Sequence, residues 1–268
     1  MWFADYGAGG WSDAIGKITT TGDVTQYTNP RMKEVTGLAV GPDGAIWFVN
    51  HAGNSIGRIT TTGKLTIYTN PDISVPWGIT SGPDGALWFT NQGNNSIGRI
   101  TTSGAVTSYT SPSISTPTVI TTGSDGALWF GNSGTGSVGR ITTTGTVTAY
   151  GSGLYYENAI TLADGSVWLI NYTATIWKVS TAGTVTSYGG VGDNTYGIAA
   201  GPDGAVWFCD SLPSGAIGRI TTAGVVTDTY GVGSYNPWSI AAGPDGAMWF
   251  ALTNYWGGIG RVTTSVTS

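Results

Sequence analysis

The chain has little charge and a single cysteine. Only 9% of its 268 residues are charged, far below the usual quarter, and the formal net charge is −5. Because nucleic-acid binding depends on neutralising phosphates, an acidic chain without a basic stripe is not expected to bind DNA or RNA. Cys209 cannot form an internal disulfide, and we expect it to be a small packed residue of the core.

Long apolar segments and helical periodicity are also missing. No run of about 18 apolar residues occurs, so no membrane-spanning segment is predicted. No stretch of roughly ten residues repeats its apolar side chains at helical spacing, which leaves strands as the expected elements. The composition, rich in Gly, Thr, Ser, Trp and Tyr with few Lys or Glu, is typical of a secreted protein, although no signal peptide is recognisable.

What the sequence does contain is a Trp-Phe pair, once Trp-Leu, that recurs seven times. The intervals are 45, 41, 41, 39, 39 and 42 residues, at Trp2, Trp47, Trp88, Trp129, Trp168, Trp207 and Trp249. Units of this length cannot bury their own apolar faces and must stack on their neighbours. Each unit holds four short apolar runs separated by Pro-Asp-Gly and Thr-x-Gly turn signals. The sequence therefore predicts an all-β, seven-bladed β-propeller of four-stranded antiparallel blades.

The repeats define a single propeller domain. Its blades are predicted at about residues 1–30, 31–71, 72–112, 113–152, 153–191, 192–232 and 233–268. Met1 directly precedes Trp2, so the first blade is expected to be incomplete at the N-terminus, and we expect a start created by truncation or design. The last outer strand is represented only by Val266 to Ser268. A closed ring of six blades with one extra unit is the alternative.

Two charged positions recur from blade to blade. Seven of the ten cations share one position of the third strand, and six of the fifteen acids share the first turn: Lys17, Arg58, Arg99, Arg140, Lys178, Arg219 and Arg261, and Asp43, Asp84, Asp125, Asp164, Asp203 and Asp245. A residue that every blade carries is expected to be structural. We predict that the aspartate shapes the turn and that the cation bonds to nearby acids or carbonyls.

Ligand contacts are predicted on the face where the connections vary. Aromatic residues outside the repeat fall in or beside these connections: Tyr6, Trp11, Trp77, Tyr155, Tyr156, Tyr172, Tyr196, Tyr235, Trp238, Tyr255 and Trp256. Trp77, Tyr196 and Trp238 begin a first strand, the one nearest the axis, and are predicted to contact a ligand. Flat apolar rings among hydrogen-bonding groups suit a glycan, a small amphipathic molecule or a peptide. The alternative is packing on each ring's own blade.

A short polar residue follows the aromatic pair by two positions in most blades. Asparagine stands there four times and aspartate twice, at Asn50, Asn91, Asn132, Asn171, Asp5 and Asp210. These side chains could line the channel rim for sugar hydroxyls, water or a cation, or they could form turns that end the strand. The only histidine, His51, is predicted to be a surface loop residue, because one histidine without further ligands makes no zinc site.

The run Gly-Pro-Asp-Gly-Ala-Leu-Trp-Phe-Thr at 82–90, followed by Asn-Ser-Ile-Gly-Arg-Ile-Thr-Thr-Ser-Gly at 95–104, resembles the repeat of the virginiamycin B lyase family. The resemblance covers the whole chain. It implies a seven-bladed propeller. For the lyases it also implies opening of a cyclic depsipeptide by elimination at its ester, with histidines, a glutamate and a magnesium ion.

The positions that the resemblance assigns to catalysis are changed in this chain. Tyr196 matches a catalytic histidine, Asn236 and Trp238 match the Glu and His of a Glu-Pro-His segment, and Thr253 matches a metal-supporting glutamate. Trp, Asn and Thr cannot supply a base near neutral pH or hold the metal. We therefore expect a monomeric, non-catalytic binding propeller without a cofactor. Its predicted ligand-binding residues are Trp77, Tyr196, Trp238, Asn236, Asn50, Asn91, Asn132, Asn171 and Asp210. A magnesium-dependent lyase, or an engineered or structural repeat protein without a ligand, remains the alternative.

Overall fold

The structure is a computed structural model that describes residues 1–5, 13–154, 157–172, 175–192, 194–211, 215–233, 235–253 and 257–264. Every regular element in these ranges is a β-strand. None of the described segments is a helix long and apolar enough to cross a membrane. Several residues singled out in the sequence lie outside the described ones: Tyr6, Trp11, Tyr155, Tyr156, Tyr255, Trp256 and 266–268.

The strands fall into two compact units. The first comprises Met1–Thr122 and Gly126–Gly153. Its four antiparallel sheets have the orders β1-β2-β3, β4-β5-β6-β7, β8-β9-β10-β11 and β12-β13-β14-β15. The strands are β1 (Trp2–Asp5), β2 (Ala14–Ile18), β3 (Val24–Thr28), β4 (Val35–Val40), β5 (Ile46–Asn50), β6 (Ser55–Ile59), β7 (Leu65–Thr69), β8 (Pro76–Ser81), β9 (Leu87–Asn91), β10 (Ser96–Ile100), β11 (Val106–Thr110), β12 (Pro117–Thr122), β13 (Leu128–Asn132), β14 (Ser137–Ile141) and β15 (Val147–Tyr150).

The second unit comprises Gly123–Asp125 and Leu154–Ser268. Its three antiparallel sheets have the orders β16-β17-β18-β19, β20-β21-β22-β23 and β24-β25-β26. The strands are β16 (Glu157–Ala163), β17 (Ser166–Asn171), β18 (Thr175–Val179), β19 (Val185–Gly189), β20 (Thr195–Ala200), β21 (Val206–Asp210), β22 (Ala216–Ile220), β23 (Val226–Gly231), β24 (Asn236–Ala242), β25 (Ala247–Thr253) and β26 (Gly258–Thr263).

Seven small antiparallel sheets, each with its strands in chain order, confirm the predicted seven-bladed β-propeller fold rather than the six-bladed alternative. The first sheet has three described strands and begins with the strand of Trp2. This matches the prediction that the first blade lacks its innermost strand. Whether the seven blades make a single domain stays a prediction.

The apolar core lies between successive sheets of each unit. In the first unit, Trp47 of β5 packs in one cluster with Leu87 and Phe89 of β9. In the second unit, Trp168 of β17 packs in the same way with Phe208 of β21. Within each unit the repeated aromatic pair therefore joins a blade to the next one, as expected for repeats too small to bury their own apolar faces.

Cys209 is the small core residue that the sequence predicted. Its side chain is buried in β21, in a cluster with Ile217 and Met248. Burial raises the pKa of its thiol, although a hydrogen bond from the backbone of Gly197 opposes this effect. A buried, protonated thiol is a packing group, not a nucleophile.

The recurring aspartate holds the blade together through both of its carboxylate oxygens. In the third blade, Asp84 Oδ1 accepts a hydrogen bond from Trp88 Nε1 at 2.9 Å, and its Oδ2 accepts one from Arg99 Nε at 2.6 Å. Trp88 also stacks on Tyr109, with ring centroids 5.3 Å apart. The same aspartate, tryptophan and cation are joined at Asp43/Trp47/Arg58, Asp164/Trp168/Lys178, Asp203/Trp207/Arg219 and Asp245/Trp249/Arg261. The predicted structural role of these charges is confirmed.

These carboxylates should make the fold sensitive to acid. Hydrogen bonds from Trp249 and Arg261 lower the pKa of Asp245 from 3.8 to about 2. Partial burial opposes ionisation of Asp43, Asp84 and Asp203, but hydrogen bonds from the paired tryptophan and arginine outweigh it and lower their pKa values as well. A carboxylate whose pKa is depressed by folding stabilises the native state above its unfolded pKa and loses that contribution as the pH falls.

We therefore expect the urea midpoint of unfolding to stay level from neutral pH to about pH 5 and to fall steeply between about pH 4 and 2. The Asp245→Asn variant should show a shallower fall over that window, because it lacks one of the groups that titrate. A midpoint that is unchanged down to about pH 2.5 would contradict this account.

Candidate functional site

A β-bulge interrupts the first strand of every blade in which that strand is described. The pairing register shifts between Val35 and Leu38, and at five equivalent places: Pro76/Ile79, Pro117/Ile120, Glu157/Ala159, Thr195/Ile198 and Pro237/Ser239. A bulge breaks the alternation of side chains and redirects the residue inside it. Three of the residues inside these bulges are the predicted ligand contacts Trp77, Tyr196 and Trp238; Thr36 and Thr118 occupy the same place in other blades.

The second unit brings three aromatic rings together, which we call the aromatic cluster (Tyr172, Tyr196 and Trp238). Tyr196 stacks on Trp238 with ring centroids 4.1 Å apart and an angle of 26° between the planes. Tyr172, which follows β17, meets Tyr196 edge to face at 5.3 Å and 79°. Tyr172 and Trp238 remain 42% and 48% exposed. The cluster thus combines residues of three successive blades and leaves ring surface open to solvent.

The close approach of two strands and the protonation state of one ring define the properties of the cluster. A Cβ on Gly197 would lie 2.9 Å from the carbonyl oxygen of Trp238, so the glycine lets β20 and β24 approach closely enough for the rings to stack. Burial raises the pKa of Tyr172, and the neighbouring Tyr196 raises it further. The phenol of Tyr172 therefore stays neutral and keeps its proton for hydrogen bonding.

Asn236 precedes Trp238 by two residues in β24, and Thr253 ends the neighbouring strand β25. They are partners in the register of β24 and β25, and Thr253 Oγ1 donates a hydrogen bond to the backbone oxygen of Asn236 at 3.2 Å. The structure thus places the four positions that the family resemblance assigns to catalysis in three neighbouring strands. They carry two aromatic rings, an amide and a hydroxyl, and no histidine or carboxylate.

That set of side chains does not fit magnesium. Mg²⁺ in proteins is usually held by one or more carboxylates in octahedral geometry, and the three side-chain oxygens here are a phenol, an amide and a hydroxyl. Across the described ranges, no three His, Cys, Asp or Glu side chains are grouped to bind a metal ion.

The asparagines after the aromatic pairs are buried and hydrogen-bond to the backbone of the connection that precedes their blade's first strand. Asn50 is 1% exposed; its Nδ2 donates to Arg31 O at 2.9 Å and to Ser55 Oγ at 2.7 Å, and its Oδ1 accepts from Lys33 N. Asn91 and Asn132 make the same contacts in their blades, and Asn171 is also buried. These contacts support the turn-forming interpretation over the predicted ligand-contacting rim, because burial removes the amides from solvent.

The two aspartates at the same position differ from one another. Asp5 Oδ2 accepts a hydrogen bond from Gln26 Nε2 at 2.9 Å, across the first sheet. Asp210 ends β21 and is only partly buried. A Cβ on Gly192 would come within 2.0 Å of Asp210 Oδ2, so the glycine makes room for that carboxylate. A ligand contact by Asp210 stays a prediction.

The first unit contains a second group of neighbouring side chains, which we call the His51 cluster (Glu34, His51 and Trp77). Trp77 is 38% exposed, and His51 meets its ring edge to face at 5.1 Å and 88°. The His51 side chain is only 18% exposed, because its Nδ1 bonds to the backbone oxygen of Pro76 at 2.8 Å. His51 lies in the turn that follows β5, as the sequence predicted, and its side chain is partly exposed. Its Nε2 lies 3.9 Å from Glu34 Oε2.

The two clusters share one geometric rule that the sequence reasoning missed. His51 and Tyr172 both follow the asparagine that ends a second strand, and each meets, edge to face, the ring in the bulge of the next blade. The repeat did contain a signal for this rule. When the blades are aligned, residue 51 is equivalent to residue 172, and residue 77 is equivalent to residue 196. Their contact depends on how blades stack, which the alignment alone does not give.

The seven antiparallel sheets, each built on the same Trp-Phe repeat, place this chain among the β-propeller proteins. The family model of the virginiamycin B lyases matches residues 1–154 and 155–267. The chain belongs to the virginiamycin B lyase family.

Solved structures agree with this assignment. A streptogramin B lyase structure is 31% identical, with a TM-score of 0.84 over 94% of this chain and 86% of that one. A catalytically inactive histidine-to-alanine variant of virginiamycin B lyase from Staphylococcus aureus with quinupristin is 31% identical, with a TM-score of 0.85 over 98% of this chain and 94% of that one. A nidogen/laminin complex, at 15% identity and a TM-score of 0.68 over 90% of this chain and 96% of that one, shares the fold alone. No curated protein matches by sequence.

Proposed function

We propose that this protein is a non-catalytic binding propeller and that the aromatic cluster of the second unit is its binding site. The observation that carries the proposal is the stack of Tyr196 on Trp238 in the positions that the family resemblance assigns to catalysis. The stack leaves Trp238 nearly half exposed. Rings held by one another and by strand bulges lose little freedom when a ligand binds, which favours affinity.

The chemistry of the cluster selects the kind of ligand. The open ring surfaces offer an apolar platform of the kind that stacks on a sugar ring or on an amphipathic small molecule or peptide. Tyr172 supplies a neutral hydroxyl, and Asn236 supplies an exposed amide next to the platform. We expect a ligand with one flat apolar face and several neutral hydrogen-bonding groups at its rim.

A lyase is the second candidate, because the family and the 31% identical streptogramin B lyase structure favour it. Elimination at an ester needs a base to remove a proton and an acid or metal to assist the leaving oxygen. Asn236, Trp238 and Thr253 supply none of these. Tyr196 would have to act alone in a role for which the family resemblance calls for two histidines and a carboxylate.

The test uses quinupristin and a panel of neutral oligosaccharides as probes, with calorimetry for binding and mass spectrometry for cleavage. We expect saturable binding of at least one probe and no change in the mass of quinupristin. Trp238→Thr and Tyr196→Thr should weaken that binding about tenfold or more, since each removes a stacking surface. Threonine occupies the same bulge at Thr36 and Thr118, so both variants should fold, and Trp238→Phe should retain most of the affinity.

Two results would overturn this proposal. Opening of quinupristin by the wild type that disappears in Tyr196→Phe would establish the lyase. Probe binding that is unchanged in both threonine variants, or no binding by the wild type to any probe, would remove the aromatic cluster as the binding site.

A further inference from the structure

Two cations that do not belong to the repeat lie close together in the second blade. Seven of the ten cations take the repeated third-strand position, and the other three are Arg31, Lys33 and Lys64. Arg31 and Lys33 are exposed in the connection from β3 to β4, and no carboxylate of the described residues lies within ion-pair distance of either. The next two blades carry neutral or acidic residues at these two positions: Asp72, Ser74, Ser113 and Ser115. The positive pair is therefore specific to this blade and is not needed to form the connection.

Both cations line a groove of about 420 Å³, which we call the Arg31 groove. Its walls come from the β3–β4 connection, the turn after β5 and the strands β6 and β7, and they include Arg31, Lys33, Ala52, Gly53, Ser55 and Ile67. The groove lies wholly within the first unit. Small-molecule sites usually measure roughly 300–1,000 Å³, so this groove can hold more than a single inorganic ion.

A missing side chain opens one wall of the groove. In the third blade, Ser96 Oγ donates a hydrogen bond to Asn94 Oδ1 at 2.7 Å, so that the asparagine side chain lies over the serine. The fourth blade has a similar pair of side chains at the same two positions. The equivalent residue of the second blade is Gly53, which has no side chain. The hydroxyl of Ser55, at the base of the groove, therefore lacks the partner that this position supplies in the next two blades.

The backbone of the same turn is also more open. In the third blade, Gly93 N donates to Ser74 O at 3.1 Å and ties the turn to the preceding connection, and the fourth blade repeats this bond. Within the described part of the second blade, no such bond joins the equivalent atoms, Ala52 N and Lys33 O. The groove therefore lies where the turn and the connection are not tied together, and the Ala52 N–H is available to a ligand.

The groups around the groove favour an anion. A guanidinium can bond an oxyanion through two N–H groups at once, and an ammonium adds a second positive charge. No acidic side chain is among the described residues that line the groove. Ile67 adds an apolar surface at a position that is small or polar in the next three blades, at Ser108, Ala149 and Ser187. A ligand that uses all of these groups carries a negative group on an apolar body.

We propose that the Arg31 groove is a second binding site, which takes a small organic oxyanion with its charged group at Arg31 and Lys33 and its apolar part on Ile67. Because two positive charges face the ligand, a phosphate monoester suits the site better than a carboxylate does. The site does not depend on the aromatic cluster, which lies in the other unit. Its ligand class, an anion, also differs from the neutral ligand proposed for that cluster.

Calorimetric titrations at low salt and neutral pH test the class of ligand. Phenyl phosphate, benzoate and benzamide share one ring and carry a double, a single and no negative charge, respectively. We expect saturable binding of phenyl phosphate, weaker binding of benzoate and none of benzamide. The affinity for phenyl phosphate should fall as salt is added, because the cations are exposed to solvent.

Variants with residues of neighbouring blades locate the site. Arg31→Ser and Lys33→Ser should each weaken phenyl phosphate binding about tenfold. The matched control is Lys64→Ala, which removes an equal charge from the β6–β7 turn, at the other end of these strands, and carries the residue of Ala105; it should change the affinity less than about twofold. Ile67→Ser should weaken binding of phenyl phosphate but not of inorganic phosphate.

The two proposed sites can fail separately. Trp238→Thr should bind phenyl phosphate like the wild type, since it alters only the aromatic cluster. Four results would each overturn the proposal for the Arg31 groove: no binding of phenyl phosphate, equal binding of benzamide, the same loss in Lys64→Ala as in Arg31→Ser, or loss of phenyl phosphate binding in Trp238→Thr.

Discussion

The Gly218→Ala variant is expected to lose about 3 kcal/mol or more of the free energy of unfolding, despite adding a single methyl group. A Cβ at this position in β22 would lie 2.1 Å from Cζ of Phe208, on the neighbouring strand β21. Phe208 is 1% exposed and packs against the previous blade, so its ring has no space into which to move. The methyl group must therefore displace the strand itself, and urea unfolding followed by circular dichroism measures the loss.

The matched control is Gly231→Ala in β23 of the same sheet. A Cβ there meets no atom within 4 Å, and its φ lies outside the left-handed region. Alanine should leave stability unchanged or raise it by about 0.5 kcal/mol, because it restricts the unfolded chain. If both variants lost the same stability, the cost would come from backbone flexibility in the sheet rather than from the ring of Phe208.

This ring also explains why the sequence was informative about the fold. The Ile-Gly-Arg segment of the third strand repeats because the phenylalanine of the second strand lies across that glycine, as Phe89 does at Gly98 and Phe48 at Gly57. Six blades obey this packing rule, and it appears in the sequence as a period; the fifth blade departs from it and pairs Leu169 with Trp177. The seven sheets, the buried Trp-Phe pairs and the paired aspartates and cations could therefore be predicted from residues alone.

The residues that differ between blades were harder to interpret. His51 looked like an isolated loop residue, because Glu34 lies 17 residues before it on the neighbouring strand connection and Pro76 lies 25 residues after it in the next blade. Asn50 looked available to a ligand because a polar residue at a strand end is usually exposed. Its burial depends on the connection between β3 and β4 lying over it, as the hydrogen bond from Lys33 N shows. Neither fact follows from local sequence.

One position connects the scaffold to the proposed function. The bulge of the first strand is kept in each blade where it is described, but its side chain changes from threonine at Thr36 and Thr118 to an aromatic ring at Trp77, Tyr196 and Trp238. The register shift is the same although the side chain inside it differs, so this backbone accepts both threonine and an aromatic ring. The same repeat therefore presents different side chains at this position in different blades.

Asp203→Ala is expected to destabilise the protein by about 2–4 kcal/mol, through a buried donor rather than through a lost charge. Asp203 Oδ1 accepts from Trp207 Nε1 at 3.1 Å and from the backbone N of Ala205 at 3.3 Å, while Oδ2 accepts from Arg219 Nε at 2.8 Å. Trp207 is fully buried, so its N–H has no access to water once the carboxylate is removed. Leaving such a group unpaired costs more than the hydrogen bond contributed.

Arg219→Gln separates the two effects, because it removes the ion pair and leaves the indole acceptor in place. We expect it to cost about 1 kcal/mol, less than half the loss in Asp203→Ala, since isolated ion pairs near a surface contribute little. The control is Asp72→Ser, because serine stands at the equivalent position of the next blade, at Ser113, and Asp72 is exposed. It should be neutral in the same urea titrations. Equal losses for Arg219→Gln and Asp203→Ala would show that the charge, and not the indole N–H, makes this aspartate necessary to the blade.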